Sequence, residues 1–181
     1  MKRIAVLISG SGSDLQSVID RIDAGGIDGR IEVVISSNAK AFGLERAKRA
    51  GIPTRVYAKA DFASLEEMYA DMITFLSASG VELVVLAGYM SILTPNIVRA
   101  FPNAIINIHP ALIPSFCGKG YYGLRVHEAA LAYGVKLSGC TVHFVNEEPD
   151  GGPIILQESV PVLEDDTPET LQQRILEAEH R

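Results

Sequence analysis

The chain opens on an apolar run rich in β-branched residues, Arg3-Ile-Ala-Val-Leu-Ile-Ser9, which ends directly on a glycine-serine segment, Gly10-Ser-Gly-Ser-Asp14. A short apolar run without polar alternation reads as a strand buried on both faces, the mark of a parallel sheet. Leu15, Val18, Ile19 and Ile22 then recur at helical spacing, and Gly25 and Gly26 stop the helix. Strand, glycine turn and helix in succession confine the chain to folds assembled from βαβ units.

The rest of the chain repeats this alternation. Ile31 to Ile35, Thr54 to Tyr57, Glu82 to Ala87, Asn103 to Ile108 and Pro153 to Val162 read as strands. Phe42 to Ala50, Ser64 to Ala78, Gly123 to Tyr133 and the segment from Thr167 onward read as helices, with a short helical turn starting near Pro95. Ser64-Leu-Glu-Glu67 has the form of a capping box. Lys136 to Val145 alternates, which predicts a half-exposed strand able to run antiparallel. The expected class is α/β: a three-layer, Rossmann-like arrangement with a mostly parallel twisted sheet flanked by helices. With 181 residues and no repeat or linker, one domain is the economical expectation. Ligands of such sheets sit at the carboxyl ends of the strands, so chemical motifs are expected just after strands.

Composition narrows the function classes. The net charge is −6, with no basic stripe, which argues against an electrostatic grip on nucleic acid. No apolar stretch approaches the roughly 20 residues that span a bilayer, and the start of the chain shows no signal peptide. Cys117 and Cys140 are too far apart for a zinc or thioredoxin motif and read as reduced thiols. The expectation is a cytoplasmic protein acting on small molecules, monomeric or homodimeric, without a membrane or nucleic-acid partner.

Two places carry chemistry. Gly10 to Asp14 lets the backbone turn tightly at a helix start, where free N–H groups and the positive dipole end suit a phosphate. A dinucleotide fingerprint is not met, because Leu15 stands where a third glycine belongs and Ser36-Ser37-Asn38 replaces the ribose-binding acid. The segment reads as a monophosphate cradle; a plain tight turn with Ser13 or Asp14 as the helix N-cap is the other reading. Further on, Asn107-Ile-His-Pro110 ends a predicted strand whose two-residue period puts Asn107 and His109 on one side. An amide can donate to a developing oxyanion, and an imidazole can move a proton near neutral pH. Asp150-Gly-Gly-Pro153 is a turn whose carboxylate, brought near an imidazole, favours the charged ring. Asn107, His109 and Asp150 can form an acid/base and oxyanion set. Alternatively, Asp150 opens a turn and His109 is a satisfied strand-end histidine. His127 reads as a surface or structural residue, and His143 as a structural strand residue or, alternatively, one that faces the site.

Taken together, Ser9-Gly-Ser-Gly-Ser-Asp-Leu15, Phe42-Gly-Leu-Glu-Arg46, Leu86-Ala-Gly-Tyr-Met90, Asn107-Ile-His-Pro-Ala-Leu-Ile-Pro114, Thr141-Val-His-Phe-Val145 and Asp150-Gly-Gly-Pro153 resemble the folate-dependent formyltransferases. Within that family they are most similar to the glycinamide ribonucleotide transformylases of purine synthesis, over essentially the whole chain. The resemblance implies 10-formyltetrahydrofolate as co-substrate, glycinamide ribonucleotide as acceptor and no metal. It implies that Gly12, Ser13 and Asp14 line the substrate phosphate and that Glu179 contacts the ribose. It implies that His109 is the acid/base group, Asn107 the oxyanion stabiliser and Asp150 the histidine's partner. Met90, Ser91, Ile92 and Leu93, with Asn146, Glu147 and Glu148, match the folate-binding segments.

The chain departs from the family's usual pattern at Asp14, where asparagine is usual, and at Ser91, where some members carry arginine. Residues 115–123 form a longer segment, expected to be a mobile loop near the pocket. The chain stops at Arg181, where the family usually continues, so the domain is expected to lack the family's C-terminal end. A formyltetrahydrofolate hydrolase or another folate-dependent formyltransferase is the alternative activity, and a nucleotide-binding module without catalysis is a third reading.

Overall fold

A computed structural model describes residues Met1–Arg181. Seven strands, β1 (Lys2–Ile8), β2 (Gly29–Ser36), β3 (Thr54–Val56), β4 (Leu83–Leu86), β5 (Ile105–His109), β6 (Leu137–Phe144) and β7 (Ile154–Pro161), alternate with six helices. The helices are α1 (Ser13–Asp23), α2 (Phe42–Arg49), α3 (Leu65–Ala78), α4 (Pro95–Ala100), α5 (Leu124–Tyr133) and α6 (Pro168–Glu179). The sheet order is β3-β2-β1-β4-β5-β6-β7. β1 pairs parallel with β2 and β4, and β2 with β3, whereas β6 and β7 pair antiparallel. This is the expected α/β class with a mostly parallel sheet. No helix is long and apolar enough to cross a membrane. The chain divides into two compact units, Met1–Ile106 and Asn107–Arg181, with the division inside β5.

In the first unit, Ala5 to Ile8 of β1 are fully buried, which is why the run lacks alternation. Ile4, Val6 and Ile8 pack with Leu15 and Ile19 of α1 and with Leu44 and Ala47 of α2. From β1 the chain moves outward to β2 and β3, then returns to place β4 on the other side of β1. The strand order therefore reverses between β1 and β4, and their carboxyl ends frame the crevice where such sheets bind ligands. Gly10 to Gly12 follow β1 there, and the irregular segment from Ala87 to Thr94 follows β4.

The start of α1 differs from both side-chain caps expected. Its N-cap is Gly12, in the left-handed region at φ 70°, and Ser13 is already helical; the N-cap residue makes no side-chain cap hydrogen bond. Glycine is required there by conformation and by space, since a Cβ on Gly12 would lie 2.6 Å from the Cα of Gly43. A Cβ on Gly43 would in turn run into the Ile8 side chain. With both side chains absent, the first turn of α2 braces the loop: Gly43 N–H donates to the Gly10 carbonyl (3.1 Å) and Arg46 Nε to the Ser11 carbonyl (2.9 Å). At α3, Ser64 accepts from the Glu67 N–H (3.1 Å), but the Glu67 carboxylate reaches the N–H of Ala63 rather than that of Ser64. The reciprocal half of the box is shifted one residue upstream.

In the second unit, Ala130, Cys140, Val160, Leu171, Ile175 and Ala178 form the core. β6 is not half exposed as its alternation suggested. Ser138, Gly139 and Thr141 are buried along with Cys140, because α6 packs against both β6 and β7. Burial of Thr141 is tolerated because its hydroxyl donates to the Ala111 carbonyl (2.6 Å) and accepts from the Ile113 N–H (3.1 Å). Helix α6 starts on a reciprocal cap in which the Thr167 hydroxyl accepts from Thr170 N–H and the Thr170 hydroxyl from Thr167 N–H. Arg174 grips the Asp166 carboxylate through both guanidinium nitrogens (2.6 and 2.8 Å) and holds that carboxyl well below its usual range, despite burial. β5 starts at Ile105, two residues later than expected, because Asn103 turns through the left-handed region at φ 54°.

His127 on α5 is 1% exposed, and its Nδ1 has no hydrogen-bond partner. It is a core residue, not a surface one. Burial, and then the charge of His109, push its pKa down to about 4.

Two predictions follow from these contacts. Gly43→Ala forces the α2 start away from the glycine loop and is expected to lower stability by about 1–3 kcal/mol in denaturant titrations. An unchanged midpoint would show that the two glycines do not set this approach. The second concerns His127. Unfolded, it takes up a proton below about pH 6.5, whereas folded it stays neutral down to about pH 4. Its contribution to stability is therefore lost as pH falls through that window. His127→Leu is expected to lose less stability than the parent between pH 7 and pH 4.5, by at least about 1 kcal/mol. Equal losses in both proteins would refute the buried-neutral assignment.

Candidate active site

The carboxyl end of β5 and the turn after β6 bring four polar side chains of the second unit together. Asn107 and His109 project from β5 on the same side, two residues apart. Asp150 stands in the turn between β6 and β7 at φ 53°, a left-handed conformation that aspartate tolerates better than most residues. Its carboxylate is 16% exposed. Oδ2 lies 3.6 Å from His109 Nδ1 and accepts the Gly118 N–H at 2.8 Å. Oδ1 lies 3.7 Å from His143 Nε2 and 3.5 Å from Asn107 Nδ2. At these separations neither imidazole contact is a close hydrogen bond, and each is an ion pair only when its ring is protonated.

Burial by itself would raise the Asp150 pKa. The interaction with His143, the Gly118 N–H and the field of either imidazole when it is charged outweigh burial and hold the carboxyl below its usual range. The group is therefore a carboxylate at neutral pH.

His143, for which the sequence favours the structural reading over a site-facing one, is the fourth member of the set. It is 1% exposed and sits near the end of β6. Its Nδ1 lies 2.9 Å from the Phe144 carbonyl, which can only accept, so Nδ1 carries the hydrogen. In the neutral ring Nε2 is then an acceptor, and it faces Asn107 Nδ2 at 3.2 Å. That contact orients the amide: one Nδ2 hydrogen is held by His143. The other makes only the long contact to Asp150 Oδ1 and stays available to an incoming acceptor. The sequence signal for His143 was its place in Thr141-Val-His143, where the two-residue period puts it on the face of the buried Thr141.

The loop 115–123 is tied to this set. The Phe116 carbonyl accepts from His109 Nε2 at 2.8 Å, and Gly118 holds Asp150 as above. Phe116 adopts φ 50°, an uncommon conformation for a bulky side chain. Its ring packs edge-on against Tyr121 and Tyr133. Expected as a mobile loop near the pocket, the segment lies against the imidazole, and His109 is 5% exposed. No pattern in the sequence pointed to these backbone contacts.

The other expected site residues are not part of this cluster of contacts. In the first unit, Gly12, Ser13 and Asp14 form the uncapped start of α1. Met90 (54% exposed) and Ile92 (70%) present apolar side chains from the segment after β4, with Ser91 and Leu93 half-buried between and beside them. In the second unit, Asn146, Glu147 and Glu148 are exposed on the turn before Asp150, where Asn146 Oδ1 accepts the Glu148 N–H at 2.9 Å. Glu179 is the last residue of α6 and is half-buried.

Comparison with known proteins identifies the family. Residues 2–181 match the family model described as formyl transferase. The chain is 45% identical, over 181 residues, to the phosphoribosylglycinamide formyltransferase of Haemophilus influenzae, covering all of this chain and 83% of that protein. It is 48% identical to part of the trifunctional purine biosynthetic protein adenosine-3 of Drosophila melanogaster, of which it spans only 13%. Among solved structures, glycinamide ribonucleotide transformylase 1 from Symbiobacterium toebii superposes with a TM-score of 0.94 at 51% identity, covering the whole of this chain and 83% of that one. With its length matched by the family model and its fold shared at this identity, the chain belongs to the formyl transferase family.

Proposed function

We propose that the chain transfers the formyl group of 10-formyltetrahydrofolate to the amine of glycinamide ribonucleotide, a step of de novo purine synthesis. The observation that carries this reading is the convergence of Asn107 and His109 on the Asp150 carboxylate at the end of β5. Transfer of a formyl group to an amine passes through a tetrahedral carbon bearing a negative oxygen. The amine nitrogen bonds to the formyl carbon and gives up a proton. The bond from that carbon to the carrier nitrogen breaks, and the carrier nitrogen takes a proton.

Each residue has a part suited to its surroundings. The uncommitted Nδ2 hydrogen of Asn107 supplies a donor to the oxyanion, with the amide held in direction by His143. His109 moves the proton. One of its nitrogens faces Asp150 and the other the Phe116 carbonyl, so the loop carbonyl must withdraw before Nε2 can meet a substrate. Asp150, ionised at neutral pH, steadies the charged ring while it carries the proton.

Binding roles are assigned on the same reading. The uncapped start of α1 offers the N–H groups of Gly12, Ser13 and Asp14 to the substrate phosphate. Asp14 takes part through its backbone, because its carboxylate sits in the first turn, where the helix dipole favours it. Met90, Ser91, Ile92 and Leu93 contact the folate ring system, which suits the exposed apolar side chains at 90 and 92. Asn146, Glu147 and Glu148 border the donor, and Glu179 meets the ribose. A cytoplasmic location and a monomeric or homodimeric state complete the reading.

The test is a spectrophotometric assay of folate product with and without glycinamide ribonucleotide. Turnover that requires the acceptor is the expected result. Turnover without it identifies a hydrolase, and ligand binding without turnover a binding module. Asp150→Asn keeps the shape but removes the charge, and is expected to lower kcat by about a hundredfold or more while donor affinity changes little. An unchanged kcat removes Asp150 from the mechanism.

A further inference from the structure

The carboxyl ends of β1 and β4 are joined by a single side chain. Ser9, the residue after β1, accepts the Met90 N–H at 2.8 Å, and its hydroxyl shares a hydrogen with the Ser37 hydroxyl at 2.6 Å. Ser37 follows β2, so one oxygen links the ends of three neighbouring parallel strands at the point where their order reverses. A serine hydroxyl has one hydrogen and two lone pairs. Met90 occupies one lone pair, and Ser37 takes the hydrogen or the second pair.

The position of Met90 depends on this bond. The segment Ala87–Thr94 has no helix or strand of its own, and Met90 and Ile92 are exposed, so packing does not fix them. Tyr89 is braced separately, through the hydroxyl contact from Tyr69 (3.3 Å). The half-buried Tyr89 also hydrogen-bonds the Ser91 side chain, but neither contact reaches the N–H of Met90, which goes to Ser9. On the other side of Ser9 the chain enters Gly10 and the loop braced by Gly43 and Arg46. The Ser9 hydroxyl therefore sets the apolar segment after β4 in register with the glycine loop after β1.

We propose that Ser9 is a positioning residue for the formyl donor: its hydroxyl fixes the backbone of Met90 so that the 90–93 segment presents a ready surface to the folate ring. The proposal rests on the functional reading above. Without the hydroxyl the Met90 N–H turns to solvent, which it can reach, so the fold survives while the segment loses its set position.

Steady-state kinetics on Ser9→Ala, Ser9→Thr, Ser9→Cys and Ser37→Ala test this. Loss of one net hydrogen bond is expected to raise the donor KM of Ser9→Ala about five- to tenfold, with kcat and the acceptor KM changed less than about threefold. Ser9→Thr keeps the oxygen and restores the donor KM, Ser9→Cys with its weak sulfur acceptor falls between, and Ser37→Ala has the smaller effect. The affinity for tetrahydrofolate by calorimetry should fall in parallel. A donor KM within about twofold of the parent in both Ser9→Ala and Ser9→Cys overturns the proposal, as does a fall in kcat with both KM values unchanged. If the parent itself shows no acceptor-dependent turnover, the functional reading fails and takes this proposal with it. Parent turnover with unaffected variants fails the Ser9 proposal alone.

Discussion

The second unit's chemistry depends on one carboxylate that is largely buried and still charged. Asp150 accepts a backbone N–H and lies within charge-pairing distance of two imidazoles and one amide. Burying a carboxylate costs several kcal/mol unless donors and opposite charge surround it. Here they do, and the balance falls on the ionised side. The arrangement works in both directions. The donors keep the carboxylate charged, and the carboxylate in turn gives each donor a reason to point inward. Because the two oxygens are divided between different partners, Oδ2 to His109 and the loop, Oδ1 to His143 and Asn107, a change on one side is felt on the other through a single group.

The first unit solves a different problem, how to expose backbone N–H groups without leaving the chain loose. Two glycines facing each other let α2 approach the turn after β1, and hydrogen bonds from Gly43 and Arg46 hold the turn's carbonyls. The carbonyl side of the loop is therefore satisfied by protein, whereas its N–H side at the start of α1 has no side-chain cap. That asymmetry is what an anion needs. It is consistent with a chain whose net charge is −6.

Much of this was legible in the sequence, for physical reasons that differ from place to place. The strand runs Ile4–Ile8 and Val33–Ile35 were clear because parallel strands buried on both faces leave no polar positions. Asn107 and His109 stood out because a two-residue period and a following proline leave few ways to place them. Where side chains did not carry the structure, the sequence was silent or misleading. Small polar residues in β6 mimicked a solvent-facing stripe although Ser138 and Thr141 are buried. Gly12, not a serine or aspartate, caps α1, since the close approach of Gly43 leaves space only for a glycine. His143 joined the site through a tautomer that the Phe144 carbonyl fixes, and the loop joined it through the carbonyl of Phe116 and the N–H of Gly118. Backbone groups are the same at every residue, so composition cannot reveal which of them will matter.

The docking of the loop has a thermodynamic corollary. Phe116 offers an acceptor and Gly118, two residues on, a donor, and each meets the complementary group of the acid/base pair. The closed position thus requires a hydrogen on His109 Nε2 and is strengthened by a negative charge on Asp150. Removing the hydrogen deletes one of the loop's two anchors, and neutralising Asp150 weakens the other. By linkage, whatever the loop gains from a particular protonation state, that state gains from the loop. Access to the imidazole and the location of its proton are consequently one equilibrium rather than two, and the covering segment acts as a sensor of the chemistry beneath it.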